Sequence, residues 1–181
     1  CRGHGPWVFY RLKIGFDRDY TCDGADPGLV SALGEALSVL QDLGAEIVDV
    51  TFPAEPATLD EIYFAMCPRE TFIVHSATYP SRAEEYGKFF RDFLEIGESI
   101  SDEQYLAATE KRGQYVAELN AVLESVDAIV CPATLTLPQP IGKDTRAKAD
   151  ANVTIPFNIA GLSMMAIPNG LPGGLPTSLM I

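Results

Sequence analysis

Three observations predict an α/β fold with a mixed, partly parallel β-sheet flanked by helices. A strand-like run, an amphipathic helix and a second strand-like run follow one another through short turns over residues 12–52. A long helical stripe with a capped start leads into a third strand-like run at Asp127, and two further short apolar runs close the sequence after a proline-rich stretch.

The first run is Leu12-Lys-Ile-Gly-Phe16, followed by a polar stretch from Asp17 to Asp26 read as a turn. Asp26-Pro27 then supplies an N-cap with proline at the first helical position. Leu29, Leu33, Ala36, Leu37, Leu40 and Leu43 recur at three- and four-residue intervals, so one helix face is apolar, and Gly44 supplies a left-handed stop. Ala45 to Phe52 reads as the second strand, closed by Pro53. Strand, helix and strand joined this way make a βαβ unit, whose strands run parallel.

Two helices are expected next, from Leu59 to about Tyr79 with an interruption near Pro68, and from Arg82 to Ile96 with Gly97 as the terminator. Ser101-Asp-Glu-Gln104 is a capping box, in which serine and glutamine side chains satisfy each other's backbone amides. Tyr105, Ala108, Arg112, Tyr115, Val116, Leu119, Val122 and Leu123 continue as one stripe. Asp127 to Cys131 reads as a buried strand stopped by Pro132 and paired in parallel with the earlier strands. Residues 133–152 read as an irregular surface excursion. Phe157 to Gly161 is a candidate short helix, Met164 to Ile167 a strand, Gly170 to Pro176 a turn and Ser178 to Ile181 a last strand.

Composition bounds the function. The 181 residues, 47% of them hydrophobic, suffice for one core without disulfides or a structural metal. A net charge of −12 repels phosphate backbones and anionic lipids, which argues against nucleic-acid and membrane partners. Cys1, Cys22, Cys67 and Cys131 form no C-x-x-C pair and read as reduced thiols of a cytoplasmic protein. His4 and His75 are too few for a metal shell, and the Trp7 to Tyr10 cluster is too short for a signal-peptide core.

The search for a nucleophile returns nothing: the sequence has no G-x-S-x-G elbow, no Ser-x-x-Lys pair and no Ser-Ser dipeptide. Cys131 is the best lone thiol, yet a buried cysteine at a strand end is ordinarily inert packing. His75, among Ile73, Val74 and Ala77, reads as a helix-packing histidine. The glycines between Gly170 and Gly174 read as a tight turn, since neither Lys-Ser nor Lys-Thr follows them. Arg112, in an otherwise apolar stripe, reads as one half of a structural pair.

The same residues carry a resemblance. Leu12-Lys-Ile-Gly-Phe16 with Asp26-Pro27 and residues 40–48, then Leu94-Glu-Ile-Gly97, Tyr105-Leu-Ala-Ala108 and Arg112, resemble the segment that follows the catalytic core of amidase-signature hydrolases. Asp127-Ala-Ile-Val-Cys-Pro-Ala-Thr134 resembles that family's D-x-[IL]-[LV]-x-P-[AT] strand. Phe157-Asn-Ile-Ala-Gly-Leu162, Ile167-Pro-Asn-Gly170 and Gly174-Leu-Pro176 resemble its N-x-[AT]-G, P-x-G and G-L-P run. The resemblance implies a sheet covered by helices on both sides and hydrolysis of a carbon-nitrogen amide bond, with no cofactor. It also implies a Ser-Ser-Lys site in a Gly-Ser-rich segment that lies amino-terminal to every residue here. No residue of this sequence matches that site, so the 181 residues are expected to be inactive by themselves.

On this reading residues 1–181 are a single partial domain, the carboxyl-terminal part of an amidase-signature domain truncated at both ends; the last apolar run, which has no polar cap after it, looks cut. Asn152, Phe157 and Asn158 are the substrate-binding candidates, since they precede a strand on the family's substrate side. The competing role for Asn158 is to cap the short helix. In glutamine-using transamidation subunits that resemble the family, an Arg-Arg pair before an Ile-Met-Leu-Gly stretch and an aspartate ahead of the N-x-[AT]-G asparagine hold the amino-acid substrate. Here those places are Asp92-Phe93 and Ala151, with Asp150 one residue out of register, which points to a small-molecule amide of lower polarity. Ser163 stands where the family commonly has proline, a difference of turn rather than chemistry. A homodimer is one arrangement this reading permits. The alternative, from another class, is a non-catalytic α/β module that binds a ligand or a basic partner through its acidic surface.

Overall fold

The structure, a computed structural model, describes residues 12–140 and 153–181. In chain order its elements are β1 (Lys13–Phe16), α1 (Arg18–Cys22), α2 (Pro27–Asp42), β2 (Glu46–Asp49), α3 (Pro56–His75), a 3-10 turn (Ala83–Glu85), α4 (Lys88–Ser99), α5 (Asp102–Leu123), β3 (Ala128–Ile129), β4 (Cys131–Pro132), α6 (Ile155–Ala160), β5 (Ala166–Gly170), a 3-10 turn (Pro172–Gly174) and β6 (Thr177–Met180). Packing divides the chain into two compact units, one of residues up to Pro53 together with Glu118–Ile181, the other Ala54–Ala117.

The first unit holds every strand. β1 pairs in parallel with β2, Lys13 opposite Glu46 through Phe16 opposite Asp49, and with β3 on its other edge, Ile14 opposite Ala128. β6 pairs antiparallel with both β4 and β5. Only Val130 separates β3 from β4, and the segment uses both of its edges: the Val130 N–H donates to Gly15 O and the Ala133 N–H to Ser178 O. The result is a mixed sheet in the order β2-β1-β3/β4-β6-β5. That agrees with the predicted class. The strand ends at Pro132, as expected, with Pro132 itself paired opposite Leu179. Strand geometry alternates, so its absent N–H points along the same edge as that of Val130, past the end of β1, and no ladder bond is lost.

α2 packs over one sheet face against β2, β4, β5 and β6. The Asp26 carboxylate caps it by accepting from the Gly28 N–H at 2.8 Å, and Gly44 takes φ +99°, the conformation its place after the helix demands. Leu33 and Leu37 from this helix join Ile14, Phe16, Ala45, Val130 and Leu179 in one buried cluster, the core that α2's apolar spacing anticipated. The stretch read as a polar turn instead contains α1, because Asp17 caps it by accepting from the Tyr20 N–H at 2.9 Å.

The second unit is helical, and two of its expected boundaries move. α3 runs through Pro68 without a break, and α4 begins at Lys88 and runs through Gly97 to Ser99. These two departures share a cause. A β-carbon on Gly97 would lie 2.1 Å from the Pro68 carbonyl oxygen and 2.9 Å from the Phe72 β-carbon, so glycine here permits α3 and α4 to touch backbone to backbone. It is a packing residue rather than a helix stop. The capping box forms as expected: the Ser101 N–H donates to Gln104 Oε1 at 2.8 Å and the Gln104 N–H to Ser101 Oγ at 3.2 Å. Ala108 and Tyr115 of the predicted α5 stripe are buried, as is Leu119 on the part of α5 that belongs to the first unit. No helix among the described residues is long and apolar enough to cross a membrane.

Candidate functional site

In open α/β sheets, ligands bind beyond the carboxyl ends of the strands, where the strand order reverses direction. That point lies at β1, since the chain leaves it towards β2 on one side and β3 returns on the other. Asp17, the first residue after β1, sits there and is only 5% exposed. Its two carboxylate oxygens are both engaged, Oδ1 by the Tyr20 N–H at 2.9 Å and Oδ2 by the Phe52 N–H at 2.7 Å. Its carbonyl accepts from the Thr21 N–H and hydroxyl. A carboxylate so occupied fastens the loop after β1 to α1 and to Phe52. Each charge-assisted bond of this kind contributes about 1.5–3 kcal/mol.

Asp17 fixes a row of rings. Tyr20 and Phe52 have centroids 4.7 Å apart, and Phe52 meets Phe157 edge-on at 5.6 Å. Phe157 is buried within α6, beside Ile155 and Ile159, while Asn158 is exposed. The Asn158 side-chain amide donates to Thr154 Oγ1 at 3.4 Å, and the Asn158 main-chain carbonyl accepts from the Gly161 N–H at 3.2 Å. Asn158 is therefore interior to the short helix, whose N-cap position is taken by Thr154, so the competing capping role falls away. The structure brings Phe157 and Asn158 together on one helix; Asn152, and Ala151 with Asp150, lie outside the described residues.

Other candidates resolve into packing. Cys131 is fully buried, and that burial pushes its thiol up to about 12, so it stays protonated and unreactive at neutral pH. His75 places Nδ1 3.1 Å from the Tyr86 hydroxyl and meets Tyr86 and Phe90 edge-on, a packing role as expected. Pro172–Gly174 form a tight, kinked turn in which Gly173 takes φ +61° and Gly174 φ +80°. In the second unit Asp92 pairs with Lys88 at 2.7 Å and the Phe93 ring stacks on Phe90 at 6.5 Å. Among the described residues, no three His, Cys, Asp or Glu side chains converge as metal ligands.

A cavity of about 320 Å³ opens at the opposite, amino-terminal end of the parallel strands, lined by Leu12, Ile14, Leu40, Asp127, Ile167 and Leu179 among others. Asp127 Oδ2 accepts from the Lys13 N–H at 2.7 Å. The rest of the named lining is apolar and carries no nucleophile. Sequence reasoning passed over Asp17, Tyr20 and Phe52. The signal for Asp17 was present, an aspartate directly after a strand run and three residues ahead of Tyr20, the spacing of an N-cap.

Comparison with known proteins places this arrangement. Residues 10–181 match the family model described as Amidase. A curated relative from Chloroflexus aurantiacus, a component of its glutamyl-tRNA(Gln) amidotransferase, is 30% identical over 94% of this chain and 40% of its own length. Among solved structures, one described as an amidase superposes with a TM-score of 0.85 at 22% identity, covering 96% of this chain and 42% of that one. A bacterial aryl acylamidase of the amidase-signature enzymes superposes at 0.78 and 19% identity, covering 97% and 40%. The chain thus spans about two fifths of the length of the relatives it matches. With its mixed sheet, its strand order and a family match over nearly its whole length, the chain belongs to the Amidase family.

Proposed function

We propose that this chain is the carboxyl-terminal part of an amide hydrolase and supplies sheet strands and one wall of a substrate pocket, while the reactive serines and lysine lie in a preceding segment. The Amidase-family match over residues 10–181, with no serine-hydrolase motif inside it, carries this reading. The chemistry follows from the residue types. A lysine in its neutral form takes the proton of the nucleophilic serine through the second serine; the serine oxygen attacks the amide carbon, and backbone N–H groups stabilise the oxyanion. The amine leaves with a proton, and water cleaves the acyl-serine. The substrate is a small amide, and α6 with Phe157 and Asn158 forms part of its pocket, together with Asn152.

The Chloroflexus relative favours a second reading, that of an amidotransferase component using glutamine. Asp92-Phe93 in place of an Arg-Arg clamp supports the less polar amide instead, because a carboxylate paired with Lys88 and a stacked ring offer no cation to a substrate carboxylate. Expression of the full-length parent decides between them. Hydrolysis of simple aliphatic and aryl amides, abolished when the serine of its Gly-Ser-rich segment is replaced by alanine, is the expected result. A parent reading frame with no Gly-Ser-Ser-Gly segment would defeat the assignment, and activity on glutamine alone would favour the second reading.

A further inference from the structure

We infer that the β5 edge of the sheet, with the turn that follows it, is the surface against which the preceding segment of the parent polypeptide packs. The inference rests on the reading of this chain as the carboxyl-terminal part of an amide hydrolase and deepens it by naming where the two parts join. The chain spans about two fifths of the length of the relatives it matches, so on that reading a segment longer than the chain itself has to meet it. The sheet offers two edges among the described residues, β2 and β5. They differ in kind. β2 carries exposed Glu46 and Asp49 at its two ends, and charged side chains of this sort keep a water-facing edge strand from pairing. β5 carries none: from Ile155 to Ile181 there is no Asp, Glu, Lys or Arg, although such residues make up 21% of the chain.

The uncharged edge is also apolar and uncovered. Met165 is 60% exposed and Leu171 69%, and Ile167 and Leu175 are 38% exposed each. Ile167 and Pro168 further line the apolar cavity that α2 also borders, which extends the same surface. Met165 and Ile181 exchange N–H to carbonyl bonds at 2.8 and 2.9 Å, so the alternate residues Ala166 and Pro168 turn their backbone groups to the open edge. Proline has no N–H to offer there, so side-chain packing rather than a long ladder makes the contact. Single exposed apolar residues need no partner, but four on one uncharged hairpin form the kind of surface that marks an interface.

The test uses the full-length parent, with one new cysteine placed by Met165→Cys, by Leu171→Cys or, on the other edge, by Glu46→Cys. Labelling by iodoacetamide is followed peptide by peptide. At positions 165 and 171 it is expected to be at least about tenfold slower than at position 46, and unfolding in urea should remove the difference. A photoreactive benzoylphenylalanine in place of Met165 should crosslink to residues that precede Cys1. Equal labelling rates at the three positions, or crosslinks confined to residues 1–181, would overturn this surface as the joint; amide hydrolysis by the same parent would leave the hydrolase reading standing. A parent reading frame with nothing before Cys1 would overturn both.

Discussion

The two units spend their acidic residues differently. In the strand-bearing unit, Asp17, Asp26 and Asp127 each accept from backbone N–H groups at the ends of strands or helices. In the helical unit the carboxylates of Asp102, Glu85, Asp92 and Glu61 meet Arg69, Arg82, Lys88 and Lys111 on the surface. The first pattern fixes loops in place; the second is worth at most about 1 kcal/mol per pair and weakens with salt. Among the described residues the one buried carboxylate, Asp17, is fully engaged by backbone N–H groups, while half-buried Asp26 and exposed Asp127 each hold a backbone N–H as well.

Single substitutions test this contrast. Gly97→Ala strikes the helical unit hardest, because the added carbon meets the Pro68 carbonyl; about 3 kcal/mol or more is lost, read as a fall in the urea midpoint. Asp17→Ala leaves the buried Phe52 N–H without its acceptor and removes the α1 cap, lowering stability by about 2–3 kcal/mol, measurable in the same titration. Asp17→Asn, which keeps one acceptor oxygen, loses less.

Alkaline pH separates the units by the order in which they weaken. Burial raises the Cys131 thiol to about 12 in the folded state, so its contribution is complete below the ordinary thiol value and declines as pH climbs from about 9 towards 12. Tyr63 of the helical unit is likewise raised to about 12, first by its hydrogen bond with Cys67 and then by burial, and its contribution begins to decline only above about 10. Cys131→Ala should flatten the stability profile between pH 9 and 10 and make the fall above pH 10 shallower without abolishing it. Lys88→Ala has the smallest effect, about 0.5 kcal/mol or less, and 0.5 M sodium chloride should erase it.

What the sequence made legible is what arises locally. The Asp26-Pro27 start of α2, its apolar spacing, the Ser101 and Gln104 box and the parallel βαβ pairing each follow from residues within a few turns of one another. Where distant segments decide, the reading departed from the structure. Pro68 and Gly97 look like a breaker and a terminator until α3 and α4 are seen to touch there. The site divides in the same way. Phe157 is a substrate-pocket candidate from its motif alone, whereas its contact with Phe52 and the Asp17 anchor behind it join residues that no local pattern connects.

The most direct measurement is active-site labelling of the full-length parent with a fluorophosphonate, followed by peptide mass spectrometry. A single adduct on a serine that precedes Cys1, with every serine and cysteine of residues 1–181 unmodified, is the predicted result. An adduct within these 181 residues, or a parent that takes up no label while remaining folded, would contradict the assignment of this chain as the supporting part of an amide hydrolase.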